Sequence, residues 1–203
     1  MNEDILRKEV VIEFAEGKHS VVIAFPQLKI VLKIFQKGLE KNAEREYHIL
    51  RYLANKGLNI PKPYTLLLID YPILIREYIR GKHFKQFLEE ATLDQIRKIL
   101  LELLKQCHLL DVNRVFLDEL SNPTKNVIVT PSLDVYIIDF ERAVKDSERS
   151  NVTQFLGYLY KLANSRTQLS RFLRSIICSD KIRMISLLYK KKRNFNLILE
   201  IFK

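Results

Sequence analysis

Short runs rich in Val, Ile and Phe dominate the first third of the chain, each bounded by turn residues. Glu9 to Phe14 and Ser20 to Phe25 read as two strands joined by a turn around Gly17, and Lys29 to Phe35 (KIVLKIF) as a third. Pro26 falls in the loop before that third strand, where its missing N–H removes no ladder bond. Over Asn42 to Ala54 the apolar period lengthens: Tyr47, Leu50, Leu53 and Ala54 mark one helical face, and Gly57 supplies the stop. Strand character returns over Tyr64 to Ile69 and Ile73 to Tyr78, on either side of the turn residues Asp70-Tyr71-Pro72. The order β-β-β-α-β-β predicts an antiparallel sheet with one helix. A doubly wound sheet would need a crossover helix after each strand.

Past Gly81 the pattern is mostly helical. Thr92 with Gln95 three residues on resembles a capping box opening a helix from Leu93 to Leu110. An irregular stretch from Asp111 to Lys125 leads into two strand-like runs, Val127 to Val129 and Val135 to Ile138. Three helices are expected beyond Ser150: Val152 to Ala163, Leu169 to Ile177 and Lys181 to Phe202. The chain therefore reads as α+β in two lobes, residues 1–80 strand-rich and residues 81–203 helical.

Composition narrows the class. With 203 residues and 47% apolar content the chain can build a core, and no apolar run approaches the roughly 20 residues that cross a bilayer. Met1 to Glu9 alternate charges of both signs, so a cytoplasmic protein is expected. Cys107 and Cys178 lie apart in apolar surroundings and read as buried thiols. With His19, His48, His83 and His108 scattered, no zinc-ligand spacing occurs, and any metal should be a hard cation on oxygen ligands. A net charge of +10, densest at Lys190 to Arg193, suits phosphate-bearing partners such as a nucleotide, RNA or an acidic protein.

Four positions carry candidate chemistry. Ile137-Ile138-Asp139-Phe140-Glu141 is an apolar strand that delivers one carboxylate at its end, a fitting magnesium ligand. Lys33, within Val31-Leu32-Lys33-Ile34, is flanked by apolar residues in a half-buried strand and needs an anion. Glu46 lies in the following helical segment just before the apolar positions Ile49, Leu50 and Leu53, with Glu44 as the alternative acid. Asn126 leads directly into the Val-Ile-Val strand.

In this order the motifs resemble the protein-kinase fold, in particular small archaeal predicted serine/threonine kinases related to RIO-type atypical kinases. The resemblance spans roughly Glu13 to Phe155. It implies a bilobal fold, with an antiparallel β-sheet N-lobe carrying one helix and a reduced, mostly helical C-lobe, binding ATP and Mg2+ between them. Asp139, in a motif similar to DFG, and Asn126 become the metal ligands. Lys33, paired with Glu46, becomes the phosphate-positioning residue. The stretch Ala15 to Val22 is similar to a glycine-rich loop that retains only Gly17, with Val22 packing on the adenine. Glu77 C=O and Ile79 N–H are the backbone groups expected to meet the adenine edge. The family's His-Arg-Asp is absent from Phe116 to Val129. Glu119 becomes the candidate base, Asp118 its competitor, and Lys125 could touch phosphate. The implied activity is transfer of phosphate to Ser or Thr of a protein. A catalytically impaired pseudokinase and a nucleotide-binding, RNA-associated module are the rivals.

Overall fold

The computed structural model describes residues 12–17 and 19–202. The first lobe is a sheet of β1 (Glu13–Glu16), β2 (Ser20–Phe25), β3 (Ile30–Phe35), β4 (Pro63–Leu67) and β5 (Ile73–Glu77), in spatial order β1-β2-β3-β5-β4. Every pairing in it is antiparallel. The period-two rule places Val31, Lys33 and Phe35 on the buried face of β3, and Leu74 and Arg76 on that of β5. Register sets Val31 opposite Arg76 and Lys33 opposite Leu74. The inner face of the sheet therefore carries two cations.

Helix α1 (Glu40–Leu53) connects β3 to β4 in the chain. Its buried residues are Ala43, Glu46, Ile49, Leu50 and Leu53, spaced by three and four as an inward stripe requires. Glu46 is on that stripe. Glu44 is off it, which separates the two candidates left open by the pattern alone.

The second lobe begins with β6 (Lys82–His83), followed by α2 (Phe84–Glu90) and α3 (Leu93–Val112). Thr92 and Gln95 close the expected capping box on α3. Next come β7 (Val115–Phe116), a 3-10 turn over Asp118–Ser121, β8 (Val127–Val129), β9 (Val135–Ile137) and β10 (Val144–Lys145). β6, β8 and β9 form one small sheet, and β7 pairs with β10. Helices α4 (Asn151–Ala163), α5 (Gln168–Ile176), α6 (Ser179–Lys192) and α7 (Asn196–Leu199) complete the lobe. One continuous apolar cluster runs from Phe35 and Leu50 through Leu104 and Phe140 to Phe155 and Ile198.

Several boundaries differ from the pattern reading. Residues 9–11 of the strand expected over Glu9–Phe14 lie outside the described residues, and β1 runs on to Glu16. Lys29 has φ of 56°, so it belongs to the turn and β3 starts one residue later. β4 ends at Leu67, before Leu68 and Ile69. α2 and the two-residue strands were not anticipated, since nothing so short shows a period. The helix expected over Lys181–Phe202 is broken at Arg193, whose φ of 49° is left-handed and ends α6.

Gly81, the residue before β6, lies against β8. A Cβ there would fall 2.4 Å from the Val129 carbonyl oxygen and 2.5 Å from Ile128 Cγ2. Gly157, inside α4, has nothing within 4 Å of the corresponding point. Gly81→Ala is therefore expected to lower unfolding stability by about 1–3 kcal/mol through overpacking. Gly157→Ala is expected to raise it by roughly 0.5–1 kcal/mol through chain entropy. Urea melts of the two variants beside the parent check both signs.

Candidate nucleotide and metal site

Lys33 sends its ammonium from the centre of β3 into the space between the lobes. Its Nζ lies 2.7 Å from Glu46 Oε2, 2.9 Å from Asp139 Oδ1 and 3.3 Å from Glu141 Oε2. Glu46 comes from α1, while Asp139 and Glu141 follow β9 in the other lobe. The Lys33 and Glu46 side chains are 4% and 0% exposed, and Asp139 is 32% exposed. Asp139 is therefore the member of the set that faces the cleft. Glu141 is locked in turn: its N–H donates to Asp139 Oδ1 at 3.3 Å, and its carbonyl accepts from Arg45 Nη1 at 3.3 Å.

Opposing effects set the protonation of this cluster. Burial works to lower the Lys33 pKa, but Glu46, Asp139 and Glu141 outweigh it and hold it well above the ordinary lysine value. Burial raises the pKa of Glu46, with the Lys33 charge as the main opposition. For Asp139 burial also pulls upward, yet the Lys33 charge and hydrogen bond prevail and hold its carboxyl below the usual range. Arg76 adds a second cation on the same face. Burial lowers its pKa, and Glu46 and Asp139 offset part of that.

Lys33, Arg76 and Asp139 of this cluster line a cavity of about 540 Å³, within the size range of small-molecule sites. Gly17, Val22, Ile79, Asn126 and Asp139 line it together with Lys33, as does Lys125. Asn126 is tied to the Asp139 strand, since its carbonyl accepts from Ile138 N at 3.0 Å. Asp139 and Asn126 both line the cavity, and their oxygens are the hard donors that fit magnesium. Glu77 is placed differently: its side chain accepts from Lys62 N at 3.1 Å, and it is not among the residues lining the cavity.

The two candidate bases diverge. Asp118 turns outward, with Oδ1 3.2 Å from Arg149 Nη2, and is 53% exposed. Glu119 is 17% exposed, 3.6 Å from Arg142 Nε through Oε1, and its Oε2 is buried without a hydrogen-bond partner. Burial, with a contribution from Asp139, pushes its pKa above the ordinary glutamate value.

A second buried polar cluster holds this loop. Asp111, at the end of α3, accepts from Asn151 N at 2.6 Å, Asn151 Nδ2 at 2.8 Å, Ser150 Oγ at 2.7 Å and Tyr189 OH at 3.2 Å. Asn151 in turn accepts from Leu117 N at 2.8 Å and donates to the Val115 carbonyl at 2.7 Å. Gln154 Nε2 donates to the carbonyls of Leu117 and Asp118 at 2.7 and 2.9 Å. The backbone that carries Glu119 is therefore fixed on both sides.

Pattern reading missed Glu141, Arg76, Arg45 and Asp111. Arg76 shares the parity of Leu74, so an alternation count along β5 points it inward. Asp111 is the acidic residue that ends an apolar helical stripe. For Glu141 the signal was its place two residues after Asp139.

A strand-built lobe whose lysine joins a helix glutamate to an aspartate of the helical lobe is the arrangement of a kinase-like fold. Residues 15–157 match the family model of the RIO domain, which is more than half of the chain. The chain belongs to the RIO domain family, a family of atypical kinases that bind ATP and transfer phosphoryl groups. A search of curated proteins finds no match. Among the described residues, no helix is long and apolar enough to cross a membrane.

Lys33→Met leaves Glu46 buried without its counter-ion, and breaking such a pair costs about 3–5 kcal/mol. The variant should therefore lose stability as well as nucleotide binding. Glu46 in the variant has a folded pKa above its unfolded one, so folding takes up a proton. Stability should then rise as pH falls towards the carboxylate range and fall as pH rises above it. Melts at several pH values check this, and the double variant Lys33→Met/Glu46→Gln should recover much of the loss.

Proposed function

We propose that the chain transfers the γ-phosphoryl group of magnesium-bound ATP to a Ser or Thr hydroxyl of a protein. The observation that carries this reading is the contact of Lys33 with Glu46 and Asp139 across the mouth of a nucleotide-sized cavity. Lys33, held by Glu46, positions the α- and β-phosphates. Asp139 and Asn126 would hold magnesium, which supplies charge neutralisation of the phosphates when bound. The base stacks against Val22 and meets the backbone of Ile79, while Glu77 lies outside the lining of the cavity. The acceptor oxygen forms its bond to the γ-phosphorus as the bond to the β-phosphate oxygen breaks, and ADP leaves.

Glu119 accepts the hydroxyl proton. Its raised pKa and unpartnered Oε2 suit that role, while Asp118 is engaged with Arg149. Catalysis then rests mainly on positioning and charge. A second reading, nucleotide binding or hydrolysis at the service of RNA or another acidic partner, is favoured by the net charge of +10. Arg166, Arg171 and Arg174 gathered around one concavity of the helical lobe add to it.

Incubation with magnesium and γ-labelled ATP tests the proposal. Label is expected on a protein acceptor or on the chain itself, whereas release of free phosphate alone would favour the second reading. Asp139→Asn should remove the magnesium-dependent part of binding and of transfer. Glu119→Gln should slow transfer by roughly two to four decades while leaving nucleotide affinity nearly unchanged. Asp118→Asn should stay close to the parent rate. The acid limb of the rate profile should lie above the ordinary glutamate value of 4.5. A Glu119→Gln rate equal to the parent's would remove Glu119 from the mechanism.

A further inference from the structure

Arg142 stands beside Glu119 and has no part in the transfer just described. It is the third residue of a turn that follows Asp139, in which Ala143 N donates to the Phe140 carbonyl at 3.0 Å. Phe140, Glu141 and Ala143 are all buried, so the turn is pinned on both sides of Arg142. Arg142 is the member that projects outward, its side chain 60% exposed. Its Nε lies 3.6 Å from Glu119 Oε1, and Glu119 is its only ion-pair partner among the described residues. That contact leaves Nη1 and Nη2 as a fork able to take a second carboxylate, one guanidinium width beyond Glu119.

The segment that carries Arg142 is short and tied down. Residues 140–149 separate Asp139 from Ser150. Within them β10 pairs with β7, and Ser147 N donates to the Arg114 carbonyl at 3.0 Å. Ser150 Oγ then donates to Asp111 at 2.7 Å. The segment is thus laid against the helical lobe, and the approach to Glu119 is lined by side chains fixed on it. Two of the acids here are already covered. Arg149, its guanidinium 3.8 Å from the centre of the Phe116 ring, holds Asp118, and Arg114 holds Glu148 at 2.7 Å.

An acceptor chain that brings a hydroxyl to Glu119 therefore brings its neighbouring residues to Arg142. Side chains one or two places along an extended chain lie roughly 3–7 Å apart, which spans the step from Glu119 to the fork. Transfer sharpens the demand. When Glu119 takes up the hydroxyl proton its negative charge is gone, and a carboxylate on the acceptor restores a partner to Arg142 at that moment.

We propose that Arg142 selects the acceptor, favouring a Ser or Thr that has an Asp or Glu one or two residues away. This rests on the reading of Glu119 as the base of a protein kinase. The net charge of +10 works in the same direction by drawing acidic partners to the chain. The expected preference is about fivefold in kcat/KM, the upper end for a solvent-exposed ion pair.

Steady-state transfer from magnesium-bound ATP to three peptides of one parent sequence tests this, the residues within two places of a single Ser being Asp, Ala or Lys. The Asp peptide should be the best acceptor and the Lys peptide the worst, with the difference shrinking as salt is raised. In Arg142→Ala the preference should be lost, and in Arg142→Glu the Lys peptide should become the better acceptor. Ratios are taken within each protein, so a general loss of rate or of folded protein cancels. Equal rates for the three peptides in the parent would overturn the selection while leaving the kinase reading standing. A slower Arg142→Ala that keeps the Asp-to-Lys ratio would also overturn it, since Arg142 would then do no more than hold Glu119. A raised KM for ATP with that ratio kept would overturn it as well and assign Arg142 to the phosphates. Transfer to none of the peptides would remove the protein-acceptor reading and the selection together.

Discussion

A single buried ammonium joins the two lobes. Lys33 is inside the molecule because β3 alternates, and it can be there only because three carboxylates from two lobes converge on it at 2.7, 2.9 and 3.3 Å. Glu46, Asp139 and Glu141 lie close enough to one another that their oxygens fall within 4.8 Å, an arrangement like charges do not adopt unaided. Lys33 and Arg76 bring two positive charges against these three negative ones. The excess negative charge is least covered at Asp139, the member that opens to the cavity. The site is thus built with an electrostatic demand for a cation at the point where phosphates would bring one.

The two buried polar clusters do different work, and their exposure tells them apart. Around Asp111, which is closed off from solvent, every contact is to the protein itself: the start of α4, Tyr189 and Arg193. That cluster fixes backbone. Around Lys33 the contacts are as short, but the cluster opens on one side, and Glu46 Oε1 and Arg76 Nε are buried without hydrogen-bond partners. Arg193 Nη1 beside Asp111 also lacks a hydrogen-bond partner, so what distinguishes the Lys33 cluster is that its unmade bonds lie beside a cavity of about 540 Å³. Glu119 stands between the two clusters, its backbone set by the first and its carboxyl in the field of the second.

Elements with a strong period were legible in the sequence: β2, β3, β5, α1, α3 and α4 follow from alternation or from three-and-four spacing. So were Lys33 and Asp139, each a charge placed where its element turns inward, whereas Glu46 was legible only as one of two acids, Glu44 being the other, until the buried stripe of α1 separated them. What escaped was short or non-local. Two-residue strands such as β6 have no period to read, and α2 is only seven residues long. Nothing local marks Arg193 as a helix end, since its left-handed turn is held by Asp111 on α3 and by the Glu148 carbonyl. Glu141 and Arg76 were visible as residues but not as partners, because their meaning depends on which strands lie side by side. Asp118 and Glu119 differ in the direction of a 3-10 turn, which only the Asn151 and Gln154 hydrogen bonds settle.

The central claim is that the Lys33 cluster is the anchor of a nucleoside triphosphate. It is tested most directly by titrating a magnesium–nucleoside triphosphate complex into the parent chain and into the charge-balanced double variant Lys33→Met/Glu46→Gln. The double variant removes the ammonium together with Glu46, its fully buried partner, and leaves Asp139 and Glu141, which are partly exposed, so both proteins should be folded at neutral pH. Saturable, magnesium-dependent binding in the parent and its loss in the double variant is the predicted result. Equal affinity in the two folded proteins would contradict it, because the triphosphate would then be held somewhere other than at Lys33.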